Sequence, residues 1–139
     1  MNKALLDTDI LSEVAKGIDQ NVARNASAYR QAHRFLTLSV ISVMEVIQGY
    51  QRVGGSSRIQ AFRNAIASEE VLSFHQAAAD LAGQIAGDLD RIGQPIGRCD
   101  PMIAAVAIVH GLELVTGNTS HYQRVQQLGY PLALANWRI

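Results

Sequence analysis

The sequence predicts an α/β domain of three layers, in which a central, mostly parallel β-sheet is flanked by helices on both faces. Three observations carry this prediction. Apolar runs of strand length alternate with segments of helical period, an order that implies right-handed crossovers between parallel strands. Val106-Ala107-Ile108-Val109 is apolar all round and suits a helix buried against such a sheet. The chain has 139 residues, 48% hydrophobic and 17% charged, enough for one core, so residues 1–139 read as a single domain.

Each element has a local reason. Ala4-Leu5-Leu6 is a short apolar run ending at Asp7, and Asp9 to Lys16 then has helical character up to Gly17, a residue suited to a left-handed cap. Residues 20–33, rich in Ala and Arg, form a second helix. Phe35 to Val40 is rich in strand formers and gives the second strand. Ser42 to Arg52 is helical again and ends in Gly54-Gly55, with Arg58 to Ala67 as its partner helix. Glu70 to Phe74 is a third strand and His75 to Asp90 the helix after it. Gly93-Gln94-Pro95-Ile96-Gly97 is a loop by its turn residues. Pro101 to His110 is an apolar helix stopped by Gly111. Glu113 to Thr116 is a fourth strand, residues 120–128 a short helix, and Leu132 to Ala135 a last strand. No linker, low-complexity tract or internal repeat interrupts the series.

Composition removes several classes. With 3 prolines and 11 glycines the chain is neither collagen-like nor disordered, and its single cysteine, Cys99, excludes an internal disulfide framework or a Cys-rich zinc module. The longest apolar stretch, Met102 to Val109, is too short to span a bilayer, and Asp7 and Asp9 interrupt any signal-peptide core. A soluble, cytoplasmic protein without a membrane partner is expected. Net charge is zero, so there is no bulk attraction to nucleic acid. The distribution is uneven: residues 20–68 hold six arginines against Glu45, a net of +5, whereas residues 69–100 hold six acids against Arg91 and Arg98, a net of −4. Such asymmetry suits an enzyme acting on a polyanion, and equally describes solvated helix faces.

In open parallel sheets, ligands bind beyond the carboxyl ends of the strands. The polar residues there are Asp7-Thr8-Asp9 after the first strand, Ser42 and Glu45 after the second, and Thr116-Gly117-Asn118 after the fourth. Asp100 opens the buried helix. Three carboxylates and an amide thus project toward one end of the sheet. Gathered carboxylates repel, and a hard cation such as Mg²⁺ or Mn²⁺ relieves them. A cation so held activates water and neutralises charge on a phosphoryl oxygen.

Structural roles compete for each of these residues. Asp100 before Pro101 has the pattern of an N-cap followed by proline at the first helical position. Ser42-Val43-Met44-Glu45 matches a capping box. Asp7 or Asp9 could cap the first helix and Asn118 the last; Asp7 resists this best, because Thr8 and Asp9 are better placed. Nucleotide-cradling glycine motifs and the Gly-x-Ser-x-Gly elbow are absent, and the four histidines lack metal-site spacing. His121 stays in view because it is near Asn118, and Trp137 reads as a packing residue.

Leu5-Leu6-Asp7-Thr8-Asp9-Ile10-Leu11-Ser12-Glu13 resembles the opening of PIN-domain ribonucleases, in particular the VapC-type toxins of toxin–antitoxin pairs. Ser39 to Val46, Cys99 to Ala105 and Leu114 to Asn118 resemble the second, third and fourth motifs, in order and spacing, and Leu132 to Trp137 the family's ending. The resemblance implies a PIN-like fold and a metal-dependent endoribonuclease that cuts RNA, is neutralised by a cognate antitoxin and forms a homodimer. Asp7, Glu45 and Asp100 would hold Mg²⁺ or Mn²⁺, and Asn118 stands where many relatives carry an aspartate. Thr116, Ser120 and Arg98 would contact RNA phosphate. Two other readings remain at this point. One is a PIN-like binding domain that does not cut. The other is a haloacid-dehalogenase-type phosphatase with Asp7 as nucleophile, disfavoured because the only lysines are Lys3 and Lys16 and the only late acid is Glu113. The basic stretch, with Arg30 and Arg34, is a candidate RNA track, and an antitoxin segment should favour an apolar groove near the acids.

Overall fold

A computed structural model describes residues 1–139. The first apolar run forms β1 (Ala4–Leu6) and leads into α1 (Thr8–Lys16), which Gly17 ends in the left-handed region at φ 66°, its N–H bonded to the Glu13 carbonyl. Next come α2 (Gln20–His33), β2 (Thr37–Ser39), α3 (Val40–Arg52), α4 (Ser56–Ile66) and β3 (Glu70–Leu72). The chain closes with α5 (Gln76–Arg91), α6 (Cys99–Val109), β4 (Glu113–Val115), α7 (Thr119–Gln127) and β5 (Leu134–Ala135). None of the helices is long and apolar enough to cross a membrane.

All strand pairings are parallel, as expected: β1 with β4, β4 with β5, and β2 with β3. β2 lies against β1, so the spatial order is β3-β2-β1-β4-β5, although no ladder joins those two strands. Tyr29 of α2 fills the break. The Ala4 N–H donates to its hydroxyl at 3.2 Å, and that oxygen lies 3.0 Å from the Ala4 carbonyl and 2.9 Å from Thr37 Oγ1.

Side chains alternate across the strands and divide the core into two layers. Leu5 and Leu114 point to one face, where α5, α6 and α7 supply Ile85, Leu89, Ile103 and Val125. Ala4, Leu6 and Val115 point to the other, against Ile10, Val22, Tyr29 and Trp137. Trp137 is a packing residue, its ring 5.9 Å from that of Tyr29. In α6 the residues Ile103 to Ala107 are all fully buried, which explains a segment apolar on every side.

Of the helix starts that differ from expectation, three turn on which residue occupies the N-cap. Ser39 ends β2 and accepts from the Ser42 N–H at 3.3 Å, so α3 begins at Val40 and no capping box forms at Ser42. His75 caps α5, its Nδ1 accepting from Ala78 N–H at 3.3 Å, and β3 stops at Leu72. Arg98 occupies the N-cap of α6 without a side-chain bond, so Asp100 and Pro101 sit inside the first turn and Asp100 is not a cap.

Candidate active site

Parallel strands deliver their following residues to the same edge, and here that edge gathers acids from three segments and an amide from a fourth. Asp7, at the end of β1, is only 5% exposed. It is the N-cap residue of α1, a role the sequence pattern favoured for Thr8 or Asp9. Its Oδ1 accepts from the Thr8 N–H at 2.8 Å and its Oδ2 from the Thr116 hydroxyl at 2.8 Å. Burial above all, then the charge of Asp9 and, more weakly, that of Asp100, pushes the Asp7 carboxyl up to about 7, against the opposing pull of those two bonds.

Glu45 reaches the same edge from α3. Its Oε1 accepts from the Thr8 hydroxyl at 2.7 Å, and Ser42 Oγ lies 2.8 Å from that same hydroxyl. A carboxylate only accepts, so Thr8 donates to Glu45 and takes its own bond from Ser42. Asp100 comes from the first turn of α6. Its Oδ2 lies 3.5 Å from the Asn118 amide nitrogen and 3.2 Å from His121 Nδ1, and those two nitrogens are 2.8 Å apart. Asn118 and Asp100 therefore compete for one imidazole nitrogen: bare, it accepts from Asn118; protonated, it pairs with Asp100.

Asp9 and the chain terminus close one side. Asp9 Oδ2 accepts from the Gly117 N–H at 2.9 Å, while Arg138 reaches Asp9 at 3.5 Å and Glu13 at 3.4 Å. The Arg138 guanidinium lies over Gly117, where a Cβ would displace it from its place beside Asp9. The Cys99 thiol is pushed up by burial and then by the charges of Glu45 and Asp100.

Asp7, Glu45, Asp100 and Asn118 thus share one edge. Arg98 and Ser120 are exposed at the starts of α6 and α7. Thr116 is a correction: it is fully buried and gives its proton to Asp7, so it serves the carboxylate and is out of reach of a phosphate. In the basic stretch the two arginines singled out have local partners. Arg30 is engaged by Glu69 through two bonds of 2.8 Å, and Arg34 lies 5.0 Å over the Phe35 ring. Lys16 and Arg58 line a cleft of about 530 Å³ with Thr8, Glu45 and Tyr50. Beside it, Leu11, Val14, Val46, Phe62 and Ile66 line an apolar groove of about 140 Å³ between α1, α3 and α4.

Sequence reasoning gave no role to Tyr122 or Arg138. Tyr122 is four residues after Asn118 and shares its face of α7, a signal open to a helical-period reading; nothing local marks Arg138. No three His, Cys, Asp or Glu side chains stand at metal-binding spacing. The donor set nonetheless fits a hard divalent cation: it is all oxygen, and burial and the charge of Asp9 both disfavour a bare charge on Asp7, which a cation would offset.

The PIN domain family matches the chain over residues 4–127. A tRNA(fMet)-specific endonuclease VapC from Shigella flexneri is 33% identical over 126 residues, covering 90% of this chain and 93% of that protein. Its namesake from Salmonella typhimurium is 30% identical over 126 residues, with the same coverage. Among solved structures, the DNA-bound VapBC of Salmonella typhimurium has a TM-score of 0.80 at 29% identity, covering 99% of each chain. These likenesses leave no place for the phosphatase reading, and neither lysine is bonded to Asp7: Lys3 pairs with Glu70 at 2.9 Å and Lys16 lines the cleft. With the family spanning both β1 and α7, and relatives of matching length, the chain belongs to the PIN-domain family and, within it, to the VapC-type ribonucleases.

Proposed function

We propose that this ribonuclease is an endonuclease that hydrolyses RNA phosphodiesters with Mg²⁺ or Mn²⁺ held by Asp7, Glu45 and Asp100, and that a cognate antitoxin neutralises it. The observation that carries the reading is the buried Asp7 carboxyl at one edge with Glu45 and Asp100, pushed up by burial and then by the charge of Asp9. The cation, when bound, would lower the pKa of a water and offset charge on the phosphoryl oxygen. The chain's own groups do the rest. Thr116 and the Thr8 N–H hold both oxygens of Asp7 in place, and the Thr8 hydroxyl holds Glu45. Asn118, an amide, orients Asp100 without adding charge.

Lys16 and Arg58 give the cleft beside Glu45 the positive groups an RNA backbone needs, and exposed Arg98 and Ser120 add contacts at the rim. The apolar groove beside the cleft suits the apolar face of an antitoxin segment, which would cover the approach to Glu45. The homodimer implied by the family resemblance belongs to the same proposal. Because the relatives at 33% and 30% identity are named for tRNA(fMet), that RNA is the first substrate to try.

The test is cleavage of tRNA(fMet) and of a mixed RNA pool by the purified chain, with Mg²⁺, with Mn²⁺ and with EDTA, beside Asp7→Asn. Cutting that needs the cation and disappears in the variant is the expected result. Cutting that survives in EDTA or in Asp7→Asn refutes the assignment of Asp7. RNA binding without cutting in any condition would favour the PIN-like binding domain.

A further inference from the structure

We infer that Tyr122 is a positioning residue of the acidic site, whose hydroxyl supplies the donor that orients Asp7 and Asp100 toward a divalent cation. The inference rests on the reading of those two acids as cation ligands.

Tyr122 is fully buried, and its hydroxyl is the one buried side-chain polar atom in the protein without a hydrogen-bond partner. Asp7 and Asp100 are the charged groups that act on this hydroxyl, which is hydrogen-bonded to neither in the metal-free protein. Spare acceptors are at hand: Asp100 Oδ2 is shared by Asn118 and His121, while Asp100 Oδ1 takes no protein donor. The ring packs in the core shared by α5, α6 and α7, a task phenylalanine would perform as well. Only the oxygen needs explaining, since an unpaired buried hydroxyl is destabilising. A donor facing two carboxylates acts by fixing which of their oxygens turn to a ligand, as groups behind a metal's own ligands commonly do.

The test compares wild type, Tyr122→Phe and Asp7→Asn as full-length proteins, by Mn²⁺ titration calorimetry and by thermal unfolding without metal. Tyr122→Phe should unfold at or above the wild-type temperature in the absence of metal, yet bind Mn²⁺ about tenfold more weakly. The rise in melting temperature produced by Mn²⁺ should shrink in step. Unchanged Mn²⁺ affinity in Tyr122→Phe, with affinity lost in Asp7→Asn, overturns the inference and leaves the cation site standing. A metal-free loss of stability that accounts for the weaker binding also overturns it, since Tyr122 would then only pack. A wild-type chain that binds no Mn²⁺ overturns both the inference and the cation reading beneath it.

Discussion

The hydroxyl of Thr116, at the end of β4, donates to Oδ2 of Asp7, at the end of β1, across 2.8 Å, with both residues buried. This bond ties two parallel strands together at the edge where the acids meet. It is also the strongest single influence drawing the Asp7 carboxyl back down. Thr116→Val keeps the shape and removes the donor. It also strips the Asn118 N–H of the acceptor it uses at 2.9 Å. A loss of about 1–3 kcal/mol in urea denaturation is expected. Cleavage at pH 7 should fall, with the pH–rate profile displaced to higher pH; an unmoved profile would show that the bond does not govern Asp7.

Asp7 also predicts how stability varies with pH. Its carboxyl rises from 3.8, its ordinary value, to about 7 in the fold. Between those values the folded chain holds a proton that the unfolded chain has released, so stability falls as pH rises from about 4 to 7 and levels off above. Asp7→Asn removes the titration and should raise metal-free stability at pH 8 by a few kcal/mol, on the order of 2–4, with little change at pH 4. Added Mg²⁺ should stabilise the wild type most at pH 8 and leave the variant unchanged. Melts at pH 4, 6 and 8, with and without Mg²⁺, check both statements.

Tyr29 predicts the opposite separation of effects. Its hydroxyl bridges β1 and β2 at their starting ends, away from the acids. Tyr29→Phe leaves the buried Ala4 N–H without its acceptor and should cost about 1–3 kcal/mol of stability. RNA cleavage by the folded variant should match wild type. A large fall in rate would mean that the seam between the two ladders positions Asp7.

Arginines in the basic stretch should divide into two kinds. Arg30 forms two 2.8 Å bonds with Glu69, whose side chain is 6% exposed, so Arg30→Ala strands a shielded acid and should reduce stability without weakening RNA binding. Lys16→Ala with Arg58→Ala should do the reverse, weakening RNA binding and making its dependence on log salt shallower by about 1–2. Fluorescence anisotropy in the Asp7→Asn background, across a salt series, measures both.

Much of this was readable from the residues in order, and the failures are equally specific. Ala4-Leu5-Leu6 and Asp7 announce a strand and the acid beyond it because an apolar run and its end are local facts. Ser39 and Arg98 were harder to recognise as the caps of α3 and α6, since Ser42 and Asp100 are as good by composition and the choice depends on where each strand or loop stops. The cationic residues show the same limit: charge counts cannot separate Arg30, already engaged by Glu69, from Arg58 on the cleft.

By itself the sequence determined the α/β architecture, the parallel crossovers and the acids that would follow the strands, because hydrophobic period and short motifs act over a few residues. Tertiary structure alone decided that Thr116 serves Asp7, that Thr8 joins Glu45 to Ser42, that Arg138 covers Gly117, and that the Tyr122 hydroxyl faces Asp7 and Asp100 unpaired. Burial and proximity set those relationships, and both arise only when segments more than a hundred residues apart, such as Asp7 and Thr116, are brought to one edge of the sheet.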